Sequence, residues 1–350
     1  MHIEYKQANE SFEMVHSLEK TLLSISSVSL KKIKNEKREM QVINGIINVY
    51  KIKGFTSHDV VAKLRGILKQ KKIGHTGTLD PDATGVLPVC LGSATKLCDM
   101  LTEKKKEYIA KVQLGVTTDT QDMTGMILQE SSVCVSEEDV KSVLKEFIGL
   151  YHQIPPMYSA LKVNGKKLYE LAREGKEVER KARPIYIDEI EVLEMSLPVF
   201  TIRVACSKGT YIRTLCHDIG QKLGCGAAMA SLERTKSGQF TLETALTLEE
   251  IEKRVKEVPQ QEREQVIKEF LIPVDEMFQE YAELSLQPAF ERLVENGNSF
   301  EERNLKEEFQ KCHREDKSQY RIYCKNHVFM GIYEYREKEK RFCPVKMFLN

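Results

Sequence analysis

The residues best suited to chemistry lie in segment 72–96, Lys-Ile-Gly-His-Thr-Gly-Thr-Leu-Asp-Pro-Asp-Ala-Thr-Gly-Val-Leu-Pro-Val-Cys-Leu-Gly-Ser-Ala-Thr-Lys. Its four glycines predict tight turns and close approach of the backbone. Pro81 favours an extended conformation for the residue before it, Asp80. Such a segment presents one carboxylate from a rigid loop, where it can act as a nucleophile. The ordinary alternative is a turn in which Asp80 or Asp82 hydrogen-bonds to its own backbone.

The same carboxylates match a second chemical pattern, Asp-x-Asp-x-Thr, at Asp80, Asp82 and Thr84. In phosphatases with this pattern the first Asp is the nucleophile and the pair helps to hold magnesium. There the first Asp ends a buried apolar strand, which residues 74–79, Gly-His-Thr-Gly-Thr-Leu, do not predict. The phosphate-binding pattern Gly-x-x-x-x-Gly-Lys-Ser/Thr is absent from this segment. The phosphatase hypothesis is therefore disfavoured.

The elements around this segment predict an α+β fold. Alternating apolar residues predict strands over residues 43–50, 108–114 and 200–206. Capping signals predict helices that begin at Thr56 and Ser136, and the apolar residues after Gly209 predict another helix from about Thr210. Strands and helices mix without the regular alternation of a doubly wound parallel sheet.

The two ends of the chain predict separate parts. Residues 1–41 are expected to be an N-terminal extension of unknown role, in which the sequence predicts a short amphipathic helix followed by a basic run. We assign residues 42–275 to a catalytic domain, in which residues 246–270 predict one charged amphipathic helix. Residues 276–350 predict a small β-rich module, with two short strands joined at residues 325–327.

Charge is distributed unevenly, although the net charge is only +1. Residues 51–75 contain seven basic residues and one acidic residue, and residues 162–183 contain eight basic and four acidic residues. A charge run is ordinarily a solvated face. Two such runs beside loops rich in glycine or proline favour contacts with a phosphate backbone.

Several classes of protein are disfavoured by composition. With 41% hydrophobic and 30% charged residues, the 350-residue chain is typical of a soluble globular protein. No apolar run is long enough for a membrane helix, and residues 1–40 lack the features of a secretory signal, so a cytoplasmic location is expected. The nine cysteines include no Cys-x-x-Cys pair, and no zinc site or disulfide framework is expected.

Several motifs, taken together and in order, carry a resemblance to a known family. Residues 74–88 closely resemble the signature of the bacterial tRNA pseudouridine-55 synthases of the TruB type. Further matches are Gly54–Ser57, Lys106–Ala110, Gln153–Lys162, Cys206–Leu215, Leu223–Ala227 and Leu232–Arg234. The resemblance covers roughly residues 43–275 strongly and the tail more weakly. One departure is Lys51-Ile52, where the family has Lys-Pro.

The resemblance implies both a fold and an activity. The fold is a mixed, largely antiparallel sheet flanked by helices, with a small C-terminal β module of the PUA-like kind. The activity is isomerisation of uridine 55 in the T-loop of tRNA to pseudouridine, which needs no metal, nucleotide or organic cofactor. No protein partner is implied, and a monomer is expected.

The resemblance also assigns roles to single residues. Asp80 is the nucleophile, attacking either carbon 6 of the ring or the anomeric carbon of the ribose. Arg213 keeps this carboxylate ionised, and its guanidinium can grip a carboxylate through two parallel donors. Tyr108 stacks on the flipped base, and its hydroxyl is a candidate for proton transfer at carbon 5.

Three more residues complete the implied binding site. Tyr211 and Leu232 line the pocket, and His75 takes the space that the flipped base vacates in the RNA loop. By pattern alone, a strand Tyr is as often core as functional, and a lone loop His is most often solvated. A non-catalytic RNA-binding protein would be favoured if Asp80 or Arg213 were missing, and both are present.

Overall fold

The computed structural model describes residues 42–163, 165–310 and 313–349, and the predicted helix and basic run of residues 1–41 lie outside these ranges. The first group of strands covers Gly45–Lys51 (β1), Ile73–His75 (β2), Thr84–Leu91 (β3), Lys106–Leu114 (β4), Val116–Thr118 (β5), Ile127–Glu130 (β6), Gly149–Gln153 (β7), Lys162–Val163 (β8), Lys166–Lys167 (β9), Arg183–Ser196 (β10), Val199–Cys206 (β11), Ala227–Ser237 (β12), Phe240–Thr241 (β13) and Leu246–Thr247 (β14). The remaining strands cover Ala282–Ser285 (β15), Phe300–Glu301 (β16), Gln319–Cys324 (β17), Val328–Arg336 (β18) and Arg341–Met347 (β19). The α-helices cover Ser57–Leu68 (α1), Cys98–Thr102 (α2), Glu137–Glu146 (α3), Leu168–Arg173 (α4), Ile212–Lys222 (α5), Leu248–Lys256 (α6), Arg263–Lys268 (α7), Glu291–Glu295 (α8) and Glu307–Gln310 (α9).

A mixed sheet runs through the larger part of the fold. Its strand order is β14-β1-β3-β12-β4-β11-β10-β7, with β2 paired to β3 and β13 paired to β12. The pairs β1–β14 and β3–β12 are parallel, and the other pairs are antiparallel. The predicted α+β fold with a largely antiparallel sheet is therefore confirmed.

Alternation along the strands separates two cores. Ile47, Leu87 and Val89 pack in one core with apolar residues of α1, α3, α5 and α6. Ile46 and Val86, which directly precede Ile47 and Leu87 on their strands, pack in a second core. Because successive strand side chains point to opposite faces, both faces of this sheet are covered.

The helix starts predicted at Thr56 and Ser136 are confirmed by their caps, whereas the helix predicted from about Thr210 begins at Ile212 without a side-chain cap. The Thr56 and Ser136 side chains accept hydrogen bonds from the backbone amides of Asp59 and Asp139, and each aspartate bonds back to its cap. One prediction was wrong, because residues 246–270 form β14, α6 and α7 instead of one helix. Pro259 lies between α6 and α7; it has no amide hydrogen to donate, and it disfavours helical geometry in the residue before it.

The C-terminal part of the chain forms a second sheet. In the ranges that the structure describes, its order is β15-β17-β18-β19-β16. Leu284, Val294, Ile322 and Tyr333 belong to its buried core. The β-rich C-terminal module is confirmed, and the exact boundary between residues 275 and 276 stays a prediction. No helix among the described residues is long and apolar enough to cross a membrane.

Gly85 is required by close packing of two strands. Its φ is +102°, and a Cβ built there would lie 2.2 Å from the carbonyl oxygen of Arg234. We expect Gly85→Ala to lower the free energy of unfolding by about 3 kcal/mol or more, because it adds backbone strain to overpacking. Urea denaturation measures the loss.

Gly297→Ala is the matched control for this substitution. Gly297 also has a positive φ, +69°, but apart from its two chain neighbours no described residue has an atom within 4 Å of the added Cβ. The control should lose only the strain, about 1 kcal/mol. Equal losses in the two variants would contradict the packing argument.

Candidate active site

Asp80 lies in a tightly held loop, residues 76–83, between β2 and β3. At its start, the amide and the hydroxyl of Thr76 donate to the carbonyl of Pro88, at 3.1 and 3.3 Å. At its end, the Ala83 amide donates to the Asp80 carbonyl at 3.1 Å, closing a turn. Leu79 and Ala83 are buried. The segment therefore presents Asp80 from an anchored turn.

Three residues between the end of β1 and the start of α1 anchor this loop. The Leu79 amide donates to the Ser57 hydroxyl at 2.9 Å. The Pro81 carbonyl accepts from the Gly54 amide at 2.9 Å and from Lys51 Nζ at 3.0 Å. The Gly54–Ser57 motif thus positions the backbone on both sides of Asp80.

Lys51 does not belong to the basic surface that the sequence predicted. Its side chain is fully buried, and Nζ also donates to the carbonyls of Ile52 and Phe55, at 3.1 and 2.7 Å. Burial lowers the pKa of Lys51 to about 8, against the opposing effect of Asp80 and Asp82. Its charge therefore supports the loop and is not available to a phosphate backbone.

Arg213 joins Asp80 to a second carboxylate. Its Nε lies 3.1 Å from Asp80 Oδ2, and its Nη1 lies 3.6 Å from Asp122 Oδ2. The Nη1 and Nη2 groups donate to the carbonyls of Thr120 and Tyr158, at 3.3 and 3.0 Å. Since both terminal nitrogens bind elsewhere, the guanidinium is shared between two carboxylates. The two parallel donors to Asp80 expected from the sequence are not used.

Asp122 was missed by the sequence analysis. It accepts hydrogen bonds from the Thr120 hydroxyl at 2.8 Å and from the Thr124 amide at 3.0 Å. Its side chain is only 15% exposed. The available signal was the run of Thr and Asp residues at 117–124, which is typical of side-chain-stabilised turns.

The surroundings of Asp80 raise its pKa above the ordinary value of an aspartate, so they favour the protonated form. Loss of hydration is the largest cause and raises its pKa, and Asp122 raises it further. Arg213 and Lys51 oppose this rise. Arg213 thus favours the ionised carboxylate in a site that otherwise disfavours its charge.

Tyr108 and Leu232 lie on neighbouring strands beside this loop. Tyr108 on β4 pairs with Arg234 on β12, and Leu232 pairs with Ala110. Both Tyr108 and Leu232 are 9% exposed. Burial raises the pKa of Tyr108, whereas the positive charge of Arg234 lowers it.

Tyr211 and His75 reach the same region from different elements. The Tyr211 amide donates to Gln153 Oε1 at 2.8 Å, and the Tyr211 carbonyl accepts from Gln153 Nε2 at 3.0 Å. The His75 ring meets the His58 ring edge-on, with centroids 5.6 Å apart. Burial, followed by His58 and Arg234, lowers the pKa of His75.

The structure brings the candidate residues of the sequence together to different degrees. Asp80 and Arg213 are in direct contact, and Asp80 lies near enough to Tyr108 and Tyr211 to affect their pKa values. Leu232 lies beside β3, where its carbonyl accepts from the Thr84 hydroxyl at 3.5 Å. His75 belongs to β2, at the start of the loop that carries Asp80.

A basic arm, residues 154–182, leaves the sheet at the end of β7 and returns at the start of β10. Gln153 pairs with Arg183, so the arm begins and ends at adjacent points. Lys167 Nζ and the Arg173 guanidinium lie 5.3 and 5.5 Å from the centre of the Tyr169 ring. Within the arm, Tyr158 supplies the carbonyl that binds Arg213.

Metal-binding side chains are not clustered in this region. Among the described residues, no group of three or more His, Cys, Asp or Glu side chains is arranged to hold a metal ion.

Family models match most of the region just described. The model described as "TruB family pseudouridylate synthase (N terminal domain)" matches residues 65–212. The model described as "tRNA pseudouridylate synthase B C-terminal domain" matches residues 213–279.

Curated relatives extend the similarity over more of the chain. A protein of Lachnoclostridium phytofermentans named tRNA pseudouridine synthase B is 51% identical over 315 residues, covering 88% of this chain and all of the relative. A protein of Clostridium tetani with the same name is 48% identical over 264 residues, covering 75% of this chain and 88% of the relative.

Solved structures are similar in fold. The structure titled "Crystal Structure of a Cbf5-Nop10-Gar1 Complex" contains a chain 28% identical, with a TM-score of 0.64, over 89% of this chain and 87% of that chain. The structure titled "Structure of H/ACA RNP bound to a substrate RNA containing 2'-deoxyuridine" gives the same TM-score and coverage at 26% identity.

Proposed function

Because this chain belongs to the TruB family of pseudouridylate synthases, we propose that it isomerises uridine 55 in the T-loop of tRNA to pseudouridine, with Asp80 as nucleophile. The observation that carries this proposal is the Asp80 carboxylate, presented by an anchored loop 3.1 Å from Arg213 Nε. The similar curated proteins are named tRNA pseudouridine synthase B, which supports tRNA as the substrate. We place this reaction in the cytoplasm.

The isomerisation needs one nucleophile and no redox change. The bond from ribose to ring nitrogen 1 breaks, a bond to ring carbon 5 forms, and the proton of carbon 5 is replaced by one on nitrogen 1. Asp80 attacks carbon 6 or the anomeric carbon, and Arg213 favours the carboxylate that this attack requires. The reaction needs no metal or organic cofactor.

The target uridine must leave its stack before Asp80 can reach it. Flipping costs a few kcal/mol, which the pocket returns by stacking and apolar contacts. Tyr108, Tyr211 and Leu232 are the residues we assign to this pocket. His75 takes the place of the base in the RNA loop.

The direct test uses an unmodified tRNA transcript. Incubation with the protein should convert uridine 55, as mapped by chemical labelling of pseudouridine. A transcript with cytidine at position 55 is the matched control and should stay unmodified. Conversion at another uridine with none at 55 would contradict the proposed specificity.

Tyr108 provides a first prediction that separates binding from chemistry. Tyr108→Ala should weaken tRNA binding by about 1–3 kcal/mol, because one base–aromatic stack is removed. Tyr108→Phe keeps the ring and should bind normally, yet stall before the proton of carbon 5 is removed. Filter binding and single-turnover kinetics measure the two effects. Full turnover by Tyr108→Phe would exclude the proton-transfer role.

The basic arm provides a second prediction. Neutralising Lys166, Lys167 and Arg173 together should weaken tRNA binding. The slope of log affinity against log salt concentration should also become shallower, by about one for each phosphate contact that is lost. Titrations at several salt concentrations measure this slope.

A control triple variant should keep the slope of the native protein. It neutralises Lys141, Lys145 and Lys253, which are exposed on α3 and α6. An unchanged slope in the arm variant would remove these three side chains from the RNA interface.

A further inference from the structure

Gln153 is a buried amide at the root of the basic arm. Only 1% of the residue is exposed. It ends β7 and pairs with Arg183, the first residue of β10, so it lies where the arm leaves the sheet. Its Oε1 accepts from the Tyr211 amide at 2.8 Å, and its Nε2 donates to the Tyr211 carbonyl at 3.0 Å. One side chain thus binds both backbone groups of Tyr211.

Tyr211 is the cap residue at which α5 begins, and its own side chain makes no capping hydrogen bond. The first amides of a helix lack partners within the helix. Gln153 supplies a partner for the Tyr211 amide, while the Tyr211 carbonyl also accepts the first bond of the helix, from the Leu215 amide at 3.1 Å. The start of α5 is therefore held by a side chain that lies 58 positions away in the chain.

The same helix start carries Arg213, two residues after Tyr211. The Arg213 Nε lies 3.1 Å from Asp80 Oδ2, and its Nη2 donates to the carbonyl of Tyr158 in the arm, at 3.0 Å. The root of the arm thus holds Arg213 twice, since Gln153 fixes the backbone before it and Tyr158 binds its guanidinium. Because the Arg213 side chain is only 7% exposed, close packing leaves it little room to compensate for a shift of the helix start.

We propose that Gln153 is a positioning residue for the reaction, which holds the start of α5 and so keeps the Arg213 guanidinium against Asp80. The proposal rests on the proposed function, because the contact between Arg213 and Asp80 serves catalysis only if Asp80 is the nucleophile. Gln153 acts through Arg213, since its side chain is buried and both of its polar atoms bind Tyr211. The arm that we assign to the phosphate backbone is thereby joined to the nucleophile.

Glutamine suits this position because its amide is a donor and an acceptor at once. Methionine has nearly the same length but offers neither group, so Gln153→Met would leave the Tyr211 amide without its partner. Asparagine is one methylene shorter, and Gln153→Asn should reach only one of the two Tyr211 groups.

The ionisation of Asp80 reports where the Arg213 guanidinium lies. The charged and titratable groups that face Asp80 are Arg213 and Tyr211 at the start of α5, Lys51 at the end of β1, Tyr108 on β4, Asp122 after β5 and Asp82 in the same loop. Burial raises the pKa of Asp80, Arg213 and Lys51 lower it, and the two other aspartates raise it. The buried amide is uncharged, so its removal changes this pKa by displacing a neighbour and not by removing a charge.

The test measures kcat/KM on an unmodified tRNA transcript against pH. In Gln153→Met the Arg213 guanidinium should lie farther from Asp80, so the pKa of Asp80 rises and the acid limb moves to higher pH. Activity at neutral pH should fall by up to about 10²-fold, as when a catalytic group is misplaced by about 1 Å. The affinity for tRNA, measured by filter binding, should stay close to that of the native protein, because the proposed phosphate contacts lie farther along the arm.

Gln113→Met is the matched control. It also removes an amide that donates to a backbone carbonyl, that of Leu114 at 2.9 Å, but on β4, which is not adjacent to β7 or β10 in the sheet. It should leave both the activity and the acid limb unchanged. A double-variant cycle adds Gln153→Met to Arg213→Gln; since Gln153 acts through Arg213, the added substitution should cost little further activity.

A folded Gln153→Met protein that is slower with an acid limb in its native place would have only a structural defect, which overturns the proposal. Full additivity with Arg213→Gln would overturn it as well. If Gln153→Met does not fold, Gln153→Asn takes its place. That variant should move the acid limb in the same direction by a smaller amount, and a limb that stays in place would contradict the proposal.

Failure of the proposed function is distinguishable from failure of this inference. If the native protein converts no uridine in tRNA, both are contradicted. If it converts uridine 55 and the Gln153 variants retain the native rate and acid limb, only the inference is contradicted.

Discussion

Asp80→Asn should abolish pseudouridine formation, with a fall of about 10⁶-fold in the single-turnover rate, as for removal of a nucleophile. The amide has nearly the same shape but cannot attack as an anion. The loop should keep its position, because its anchors are the backbone groups of Leu79 and Pro81 and not the Asp80 side chain. Binding of tRNA should therefore be nearly normal.

Asp82→Asn is the matched control, two residues along the same turn. Asp82 is 48% exposed and lies 3.6 Å from Lys53 Nζ. Such an exposed ion pair contributes little to stability. Activity should be close to that of the native protein. The residues before Asp80 form a loop and not a buried strand, so the phosphatase pattern lacks its structural setting.

The two aspartates also separate the competing chemistries. A magnesium phosphatase would need both carboxylates, and either substitution would stop phosphate release. If Asp82→Asn were as inactive as Asp80→Asn on tRNA, with fold and binding intact, the assignment of a single essential aspartate would be wrong.

Arg213→Gln should lower activity at neutral pH by about 10²–10³-fold, the loss typical of removing one preorganised electrostatic partner. Arg213 lowers the pKa of Asp80, and burial and Asp122 raise it. Without the guanidinium the pKa of Asp80 rises further. The reactive carboxylate is lost as pH falls through that pKa, so the acid limb of the kcat/KM profile should move to higher pH.

Two variants test the sign of this electrostatic explanation. Asp122→Asn removes a negative neighbour of Asp80 and should move the acid limb to lower pH. Arg203→Gln removes an exposed arginine paired with Glu191 on neighbouring strands, and it should leave the limb unchanged. An acid limb that stays in place in Arg213→Gln would refute the role of Arg213 in keeping Asp80 ionised.

Local patterns in the sequence predicted much of the fold. The caps at Thr56 and Ser136 and the alternation around Tyr108 depend on neighbouring residues, which a single sequence displays. The helix predicted over residues 246–270 was interrupted because its amphipathic pattern continues past Pro259, where the backbone does not.

Long-range partners in the site could not be predicted in the same way. Asp122 meets Arg213 across 91 positions of the chain, and Arg234 meets Gly77 across 157. Lys51 looked like a surface cation because its three carbonyl acceptors come together only after folding. The motifs predicted which residues belong to the candidate site but not how Arg213 and Arg234 divide their hydrogen bonds.

The basic arm has a consequence for limited proteolysis. A cut at the exposed residues 174–177 would leave β1, β3, β4 and β7 in one fragment and β10, β11, β12 and β14 in the other. The strand order places β12 between β3 and β4, and β10 between β11 and β7. Each fragment therefore lacks some of the neighbours with which its strands pair. The nicked protein should therefore remain a single noncovalent particle under native conditions, and its two pieces should separate only when the whole sheet unfolds.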